Sequence, residues 1–564
     1  MFTIHPRTLT AVLENSAALY SSRPAVSTIG GETISYAELH RQARTVSDFL
    51  HNHGIISGDR VAILSENKPQ WGVAFFAITT MAAVAVPILP DFHQNEIRHI
   101  IRHAECKAIF VSRKYLQKLE DDPPPFLTTT IIIDDFSVYR GTSARNKLLD
   151  FLEEGEKEFS IVKEAALKFL GKIPEAVQPD SLASIVYTSG TTGHSKGVML
   201  THGNLVSDVI GTTHIVDIGK TDRLLSILPL AHTYECTLGL ITPLAVGASI
   251  SYLDKLPTAS ALIPAMQQVK PTIMLSVPLV IEKIYKTRIY PQLHGSFLTR
   301  SVQHFPFLRK NIHRIAGRKL MKSFGGELKL FCIGGAPLAS DVESFLREAR
   351  FPYALGYGLT ETSPLIAGTN QLKTKFRSTG AALPEASLRI LRPDPSTGEG
   401  EIIVKGPMVM KGYYKDDERT RLSFTDDGWF KTGDLGVFTP DGYLYIKGRL
   451  KNMILGPNGK NIYPEEIESV INEFDIVLES VVYEKQHQIV ARVFLDYEKI
   501  DAMMENVHAA ESKVREKISI VLKDLQTKIN ERLASFSRIA QIVEQSEPFE
   551  KTPTQKIKRH LYIQ

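Results

Sequence analysis

Residues 185–202 read IVYTSGTTGHSKGVMLTH, an apolar β-branched run that empties into a loop of small, hydroxylated and cationic residues. Gly190 and Gly193 let backbone N–H groups crowd around an anion. Thr188, Ser189, Thr191 and Thr192 add hydroxyl donors, and Lys196 adds charge. By composition this is a polyphosphate cradle. It is not a Walker A loop, which needs glycine directly before the lysine; here Ser195 precedes Lys196 and Gly197 follows it.

Further motifs could complete a nucleotide site. Residues 356–363, GYGLTETS, offer Tyr357 as an aromatic face for a purine, with Thr360 beside Glu361. A single carboxylate next to a hydroxyl suits Mg²⁺ held through substrate phosphates. Residues 431–435, KTGDL, carry Asp434, a carboxylate able to accept two ribose hydroxyls. Residues 447–451, KGRLK, carry Arg449, whose rigid fork suits phosphate or ribose oxygens. Residues 330–338, LFCIGGAPL, end in a small-residue turn at Gly335, Ala336 and Pro337, which permits a flat ligand near the backbone but also suits a tight strand–helix connection. His232, in LPLAHTYE at 228–235, is either a structural histidine or a pocket residue. The loop GPNGKNIYP at 456–464 leads into a helix, and PFEKTPTQKIKR at 548–559 is a basic tail.

In this order the motifs resemble the adenylate-forming acyl and aryl ligases, most of all the long-chain fatty acid–CoA ligases, across almost the whole chain. The resemblance implies ATP, Mg²⁺ and coenzyme A as cofactors and a long-chain fatty acid as substrate. A carboxylate is a poor acylating agent, so the family first makes an acyl-adenylate with loss of pyrophosphate, then transfers the acyl group to CoA with loss of AMP. It assigns Gly335, Ala336 and Pro337 to adenine, Tyr357, Gly358 and Thr360 to the nucleotide, Asp434 and Arg449 to ribose and phosphate, and Thr191 and Glu361 to the metal. His232 would line the acyl or nucleotide pocket. Lys556 would be the catalytic lysine of a PxTxxGKxxR-like segment, with Thr552, Pro553 and Thr554 in their places and Gln555 replacing glycine. Lys451 falls at the family's hinge, followed by Asn452 where relatives usually carry aspartate. Gly459 and Lys460 would approach the pantetheine thiol after the hinge turns. The implied domains are a large AMP-binding unit at 1–449 and a small mobile α+β unit at 450–564. Acyl carrier protein in place of CoA, a luciferase-like oxygenase on the same fold, and a non-catalytic nucleotide and lipid sensor are the alternatives.

Elements able to position these residues are visible as β-branched runs at 61–64, 108–111, 130–133, 250–253, 272–276 and 329–333, alternating with helix-like segments. That alternation predicts an α/β fold: mainly parallel sheets flanked by helices in a large N-terminal domain, a β-subdomain, and a small C-terminal α+β domain. Residues 71–90, WGVAFFAITTMAAVAVPILP, are nearly long enough to span a bilayer, yet read as a buried helix at 71–83 and a buried strand at 84–89. Residues 115–180 read as a partly helical surface excursion, and the glycine- and aspartate-rich stretch 398–459 as antiparallel hairpins. Gly239 and Gly247 would leave room for a long acyl tail.

The 564 residues include 66 Lys+Arg and 62 Asp+Glu, a net charge of +4 with 43% hydrophobic residues. That balance fits a soluble globular protein and excludes the strong field of a nucleic-acid binder. Cys106, Cys236 and Cys332 are too dispersed for a disulfide framework or metal clasp, and the N-terminus lacks a signal peptide's apolar core, so a cytoplasmic setting is expected. Residues 283–326 contain no Asp or Glu, and their Lys and Arg alternate with aromatics. This stretch, including Lys283 and Lys322, is either a solvated cover over the core or a peripheral contact with the anionic inner face of a membrane.

Overall fold

The computed structural model describes residues 2–119, 123–139, 176–188, 195–253, 258–295, 305–456, 461–503, 511–552 and 556–563. Ser189, Gly190, Thr191, Thr192, Gly193, Gly459, Lys460, Pro553, Thr554 and Gln555 lie outside these residues, as does most of the 115–180 excursion.

Every β-branched run read from the sequence is a strand. An eight-stranded sheet is ordered Gly412–Tyr413, Lys196–Thr201, Leu182–Thr188, Val84–Ile88, Arg60–Leu64, Cys106–Val111, Thr129–Ile132 and Ser137–Val138. Its centre is parallel and its two margins antiparallel. A nine-stranded sheet runs from Ala381–Ala382 through Leu365–Gly368, Tyr353–Gly358, Leu330–Ile333, Ile273–Ser276, Arg223–Ser226, Ser249–Tyr252 and Pro24–Thr28 to Thr33–Ser35. Parallel strands covered on both faces must be apolar on both faces, which is why they read as unbroken hydrophobic runs.

Helix Pro69–Thr80 packs beside strands of both sheets. Trp71, Phe75 and Phe76 have no exposed surface, so the near-membrane composition of this segment reflects burial on all sides. It stops earlier than the sequence suggested because Ala82 takes a left-handed φ of 61° before strand Val84–Ile88. Among the described residues no helix is long and apolar enough to cross a membrane.

Corrections fall on the two glycines expected to leave tail space. A Cβ on Gly239 would lie 2.7 Å from the Glu235 carboxylate, and one on Gly247 would lie 2.8 Å from the Tyr20 ring. Both spaces are already filled by side chains.

The hairpin-rich stretch forms a four-stranded antiparallel sheet, Ser387–Leu391, Gly400–Lys405, Phe430–Phe438 and Leu444–Arg449. Beyond it, helix Pro464–Ile471 packs on strand Val477–Lys485, part of a three-stranded sheet with Gln488–Leu495 and Gln541–Gln545. The apolar clusters of this last region draw only on residues 454–562, and those of the preceding sheets only on residues up to 446. Polar groups join the two parts: Lys286 Nζ donates to the Asn472 carbonyl at 3.0 Å, Tyr463 Oη to Glu399 at 2.5 Å, Arg377 to Ser469 at 3.2 Å, and Ser340 to Glu473.

Candidate active site

The motif residues gather where parallel strands end, the edge at which open α/β sheets bind ligands. Strand Leu182–Thr188 delivers Thr188, and the antiparallel return strand Lys196–Thr201 begins with Lys196. The Thr188 hydroxyl is buried with no hydrogen-bond partner among the described residues. Helix His202–Ile215 starts immediately after, locked by a capping box between Thr201 and Asn204.

Lys196 Nζ meets Glu361 Oε1 at 2.5 Å. Tyr413 completes a triangle: its hydroxyl accepts from Lys196 at 2.8 Å and donates to Glu361 Oε1 at 2.9 Å. The Lys196 ammonium also lies 4.5 Å from the Tyr413 ring centre. Burial by itself would raise the Glu361 pKa, but the Lys196 charge and these hydrogen bonds outweigh it and hold the carboxyl below its usual range. Glu361 therefore stays an anion at neutral pH. Thr360, beside it, is buried. Gly358 is required by packing, since a Cβ there would sit 1.7 Å from the Pro364 carbonyl oxygen.

A second cluster is built on one hairpin. Asp434 and Arg449 are register partners in the four-stranded sheet, and Arg449 Nε lies 2.8 Å from Asp434 Oδ1. The Tyr357 hydroxyl donates to Asp434 Oδ2 at 2.7 Å, so this aromatic is tethered to the carboxylate. Burial raises the Asp434 pKa, opposed by the Arg449 charge.

Lys556 joins the two clusters. Of the basic tail, Lys551 pairs with Glu479, Lys558 with Glu550 at 3.1 Å, and Arg559 with Glu468 at 2.7 Å. Lys556 alone among these four has no carboxylate at ion-pair distance among the described residues. Its turn is set by Thr552, whose N–H donates to the Lys556 carbonyl at 2.7 Å while its hydroxyl accepts from the Lys556 N–H at 3.2 Å. Lys556 is exposed, yet neighbouring protein removes part of the hydration of its ammonium, and with the charges of Arg449 and Lys451 this lowers its pKa against the opposing pull of Asp434 and Glu361. Lys451 is lowered for the same reasons: lost hydration first, then Arg449, Arg559 and Lys196. Lys196, Arg449, Lys451 and Lys556 are thus within electrostatic reach of one another, a grouping that suits a polyanionic ligand. Among the described residues no three His, Cys, Asp or Glu cluster as metal ligands. A Mg²⁺ ion would therefore share Glu361 with the ligand's own phosphate oxygens, the usual arrangement for this cation.

His232 also feels the Lys556 charge. Loss of hydration, then that charge, brings its pKa down to about 4. Its Nδ1 accepts from the Tyr234 N–H at 3.1 Å, which leaves the proton of the neutral ring on Nε2. The Tyr234 hydroxyl reaches the Cys332 carbonyl at 3.2 Å, and its ring underlies Gly334, so the LPLAHTYE segment and the small-residue turn form one wall. Gly335, at φ 87°, Ala336 and Pro337 are exposed on that turn. Burial pushes the Cys106 and Cys332 thiols up to about 12, so neither is a nucleophile at neutral pH.

Sequence reasoning missed Tyr413, Tyr234 and the charge of Lys451, which it had read as a hinge. The KGYY at 411–414 held the signal for Tyr413, but strand Gly412–Tyr413 reaches Lys196 only by pairing with Val198 and Met199.

The model of the AMP-binding enzyme family matches residues 13–414. The chain is 29% identical to the peroxisomal Long chain acyl-CoA synthetase 7 of Arabidopsis thaliana, over 93% of this chain and 79% of that one. It is 30% identical to the Long-chain-fatty-acid–CoA ligase FadD15 of Mycobacterium bovis, over 80% of this chain and 75% of the relative. Among solved structures it superposes on ATP-bound MatB from Rhodopseudomonas palustris with a TM-score of 0.74 and 25% identity, covering 98% of each chain. The MenE synthetase of Bacillus subtilis solved with ATP and magnesium shares the fold, with a TM-score of 0.73 at 23% identity over 97% of this chain and 98% of that one.

Proposed function

The chain belongs to the AMP-binding enzyme family, and on that premise we propose that it is an AMP-forming long-chain fatty acid–CoA ligase. The observation that carries the reading is geometric: one segment, residues 357–361, ties the Lys196–Glu361–Tyr413 triangle to the Tyr357–Asp434–Arg449 cluster. The names of the relatives from Arabidopsis thaliana and Mycobacterium bovis support the long-chain acid and CoA as substrates.

In the first step the fatty carboxylate attacks the α-phosphorus of ATP and pyrophosphate leaves. Asp434 accepts hydrogen bonds from the ribose hydroxyls, Arg449 holds Asp434 in place, and the turn at Gly335–Ala336–Pro337 receives adenine. This fixes the nucleoside so that attack is close to in line. Lys196 and Lys556 neutralise charge that shifts onto the departing phosphates. Magnesium held between Glu361 and the phosphates would add Lewis-acid neutralisation of the same charge. Neutral His232, with its proton on Nε2, lines the wall beside the acyl carboxylate. In the second step the CoA thiol gives its proton to solvent and attacks the acyl carbonyl, the bond from that carbon to the phosphate oxygen breaks, and AMP leaves with the bonding electrons.

The hinge belongs to this proposal. The turn Leu450–Asn452 lies between regions with separate apolar cores, and Asn452 Nδ2 ties it to Glu465 at 2.6 Å. Rotation there withdraws Lys556 and brings forward the loop containing Gly459 and Lys460, placing the boundary between residues 1–449 and 450–564. The test is product analysis with purified protein, ATP, CoA and a series of fatty acids. Stoichiometric AMP, pyrophosphate and acyl-CoA, strongest with long chains, is the expected result. ADP as product, or no acid-dependent AMP, overturns the reading. Acyl transfer to carrier protein but not to CoA overturns the acceptor alone.

A further inference from the structure

We propose that the outer face of helix Pro306–Ser323 docks on the surface of an anionic lipid bilayer. The helix sequence, PFLRKNIHRIAGRKLMKS, has no acidic residue. Its inner face is settled by packing: His313, Ala316, Gly317 and Leu320 are buried, and Gly317 approaches so closely that a Cβ would meet Ala349 at 2.8 Å. The opposite face has no partner among the described residues. Phe307 is 77% exposed, Phe305 60%, Ile315 52% and Leu308 46%. Lys310, Arg318, Lys319 and Lys322 are exposed around them.

The spacing makes one surface of these side chains. Leu308, Ile315, Lys319 and Lys322 fall on one helical stripe, and Phe307 and Arg318 on the stripe next to it. Arg309 does not belong to the set. Its guanidinium is held in a two-pronged contact with Glu348, at 2.6 and 3.0 Å, so its charge is already answered within the protein. Among the described residues Lys310, Arg318, Lys319 and Lys322 have no carboxylate at ion-pair distance, and they surround large apolar side chains held in water.

That combination has one occupant that satisfies both parts. Phosphate-bearing headgroups pair with the Lys and Arg ends, and the acyl boundary accepts Phe305, Phe307 and Leu308 at the helix N-terminus. A polyanion such as RNA would answer the charges but leave aliphatic Leu308 and Ile315 against a hydrated backbone. An acidic protein would need a matching apolar groove. The proposal is independent of the adenylation reading, because docking requires neither nucleotide nor acyl substrate.

The experiment is cosedimentation of the full chain with vesicles of phosphatidylcholine containing one quarter phosphatidylserine, and with vesicles of phosphatidylcholine alone. Binding to the first, weak binding to the second, and release at high salt are expected. With each cation contributing about fivefold to partitioning, the triple variant Arg318→Glu, Lys319→Glu, Lys322→Glu should bind at least tenfold more weakly. The double variant Phe307→Ser, Leu308→Ser should lose severalfold with thermal unfolding unchanged, since both side chains stand in solvent. Failure of the wild type to bind the serine-lipid vesicles overturns the proposal, as does unaltered binding by both variants. Binding of single-stranded RNA that both variants lose, without vesicle binding, overturns it in favour of nucleic acid.

Discussion

Replacing Tyr413 by Phe removes one oxygen atom from the Lys196–Glu361–Tyr413 triangle and leaves the rest of the side chain. The residue is 4% exposed and its ring stays packed, so folding should be preserved. What disappears is a donor to Glu361 at 2.9 Å and an acceptor for Lys196 at 2.8 Å. The direct Lys196–Glu361 contact at 2.5 Å survives, so the carboxylate is loosened without being orphaned. A hydrogen bond to a charged group is worth about 1.5–3 kcal/mol. If that stabilisation operates in the transition state of adenylation, the rate falls by about ten- to 150-fold. The hydroxyl also helps to depress the Glu361 pKa, so the variant's pKa rises and its acidic limb moves to higher pH. Fatty-acid-dependent ATP–pyrophosphate exchange, measured across pH, reads both effects, with thiolysis of supplied acyl-adenylate by CoA as the control. Exchange within twofold of wild type at every pH refutes the reasoning. Equal loss in exchange and thiolysis refutes the assignment of the triangle to the first step.

Lys556→Ala should reduce pyrophosphate exchange by about 100- to 1,000-fold while thiolysis of supplied acyl-adenylate stays within a few-fold, and loss of both half-reactions together contradicts the role given to this lysine. Burial raises the Glu235 pKa from 4.5 to about 8, with the Ser226 hydroxyl bond at 2.5 Å opposing the rise. The native state therefore holds a proton that the unfolded chain releases above pH 4.5, and stability from this group is present below that pH and lost as pH rises toward 8. Thermal melts of wild type and Glu235→Gln should show the wild type losing a few kcal/mol relative to the variant over that span, at about 1.4 kcal/mol per pKa unit, and parallel curves would exclude it. Gly358→Ala forces a Cβ against the Pro364 carbonyl and should destabilise by about 3 kcal/mol or more, visible as a lowered melting temperature; a shift of only about a degree would mean the strand end yields freely.

The sequence exposed the parallel strands because burial on both faces leaves no polar position to blur the pattern, as in Val61–Leu64. It exposed Asp434 and Arg449 because a short hairpin makes them neighbours across only two strands. Tyr413 was hidden for the opposite reason: its partners are 217 and 52 residues away, and their meeting depends on an edge strand two residues long. Gly239 and Gly247 misled because an absent side chain looks the same in sequence whether it leaves space or admits a neighbour. Glu235 and Tyr20 occupy those sites, and neither contact follows from composition. Lys451 was read for its backbone, while its charge matters through groups gathered from distant segments.

The seam between the C-terminal region and the main sheets is stitched by hydrogen bonds, at Lys286, Arg377, Ser340 and Tyr463, and among the described residues no apolar cluster spans it. Water can take over each parted donor and acceptor one at a time, so opening the seam exchanges like for like instead of baring oil to solvent. A welded joint of leucines would resist parting through its whole apolar area; a seam of this kind resists through a handful of polar contacts, each replaceable by solvent.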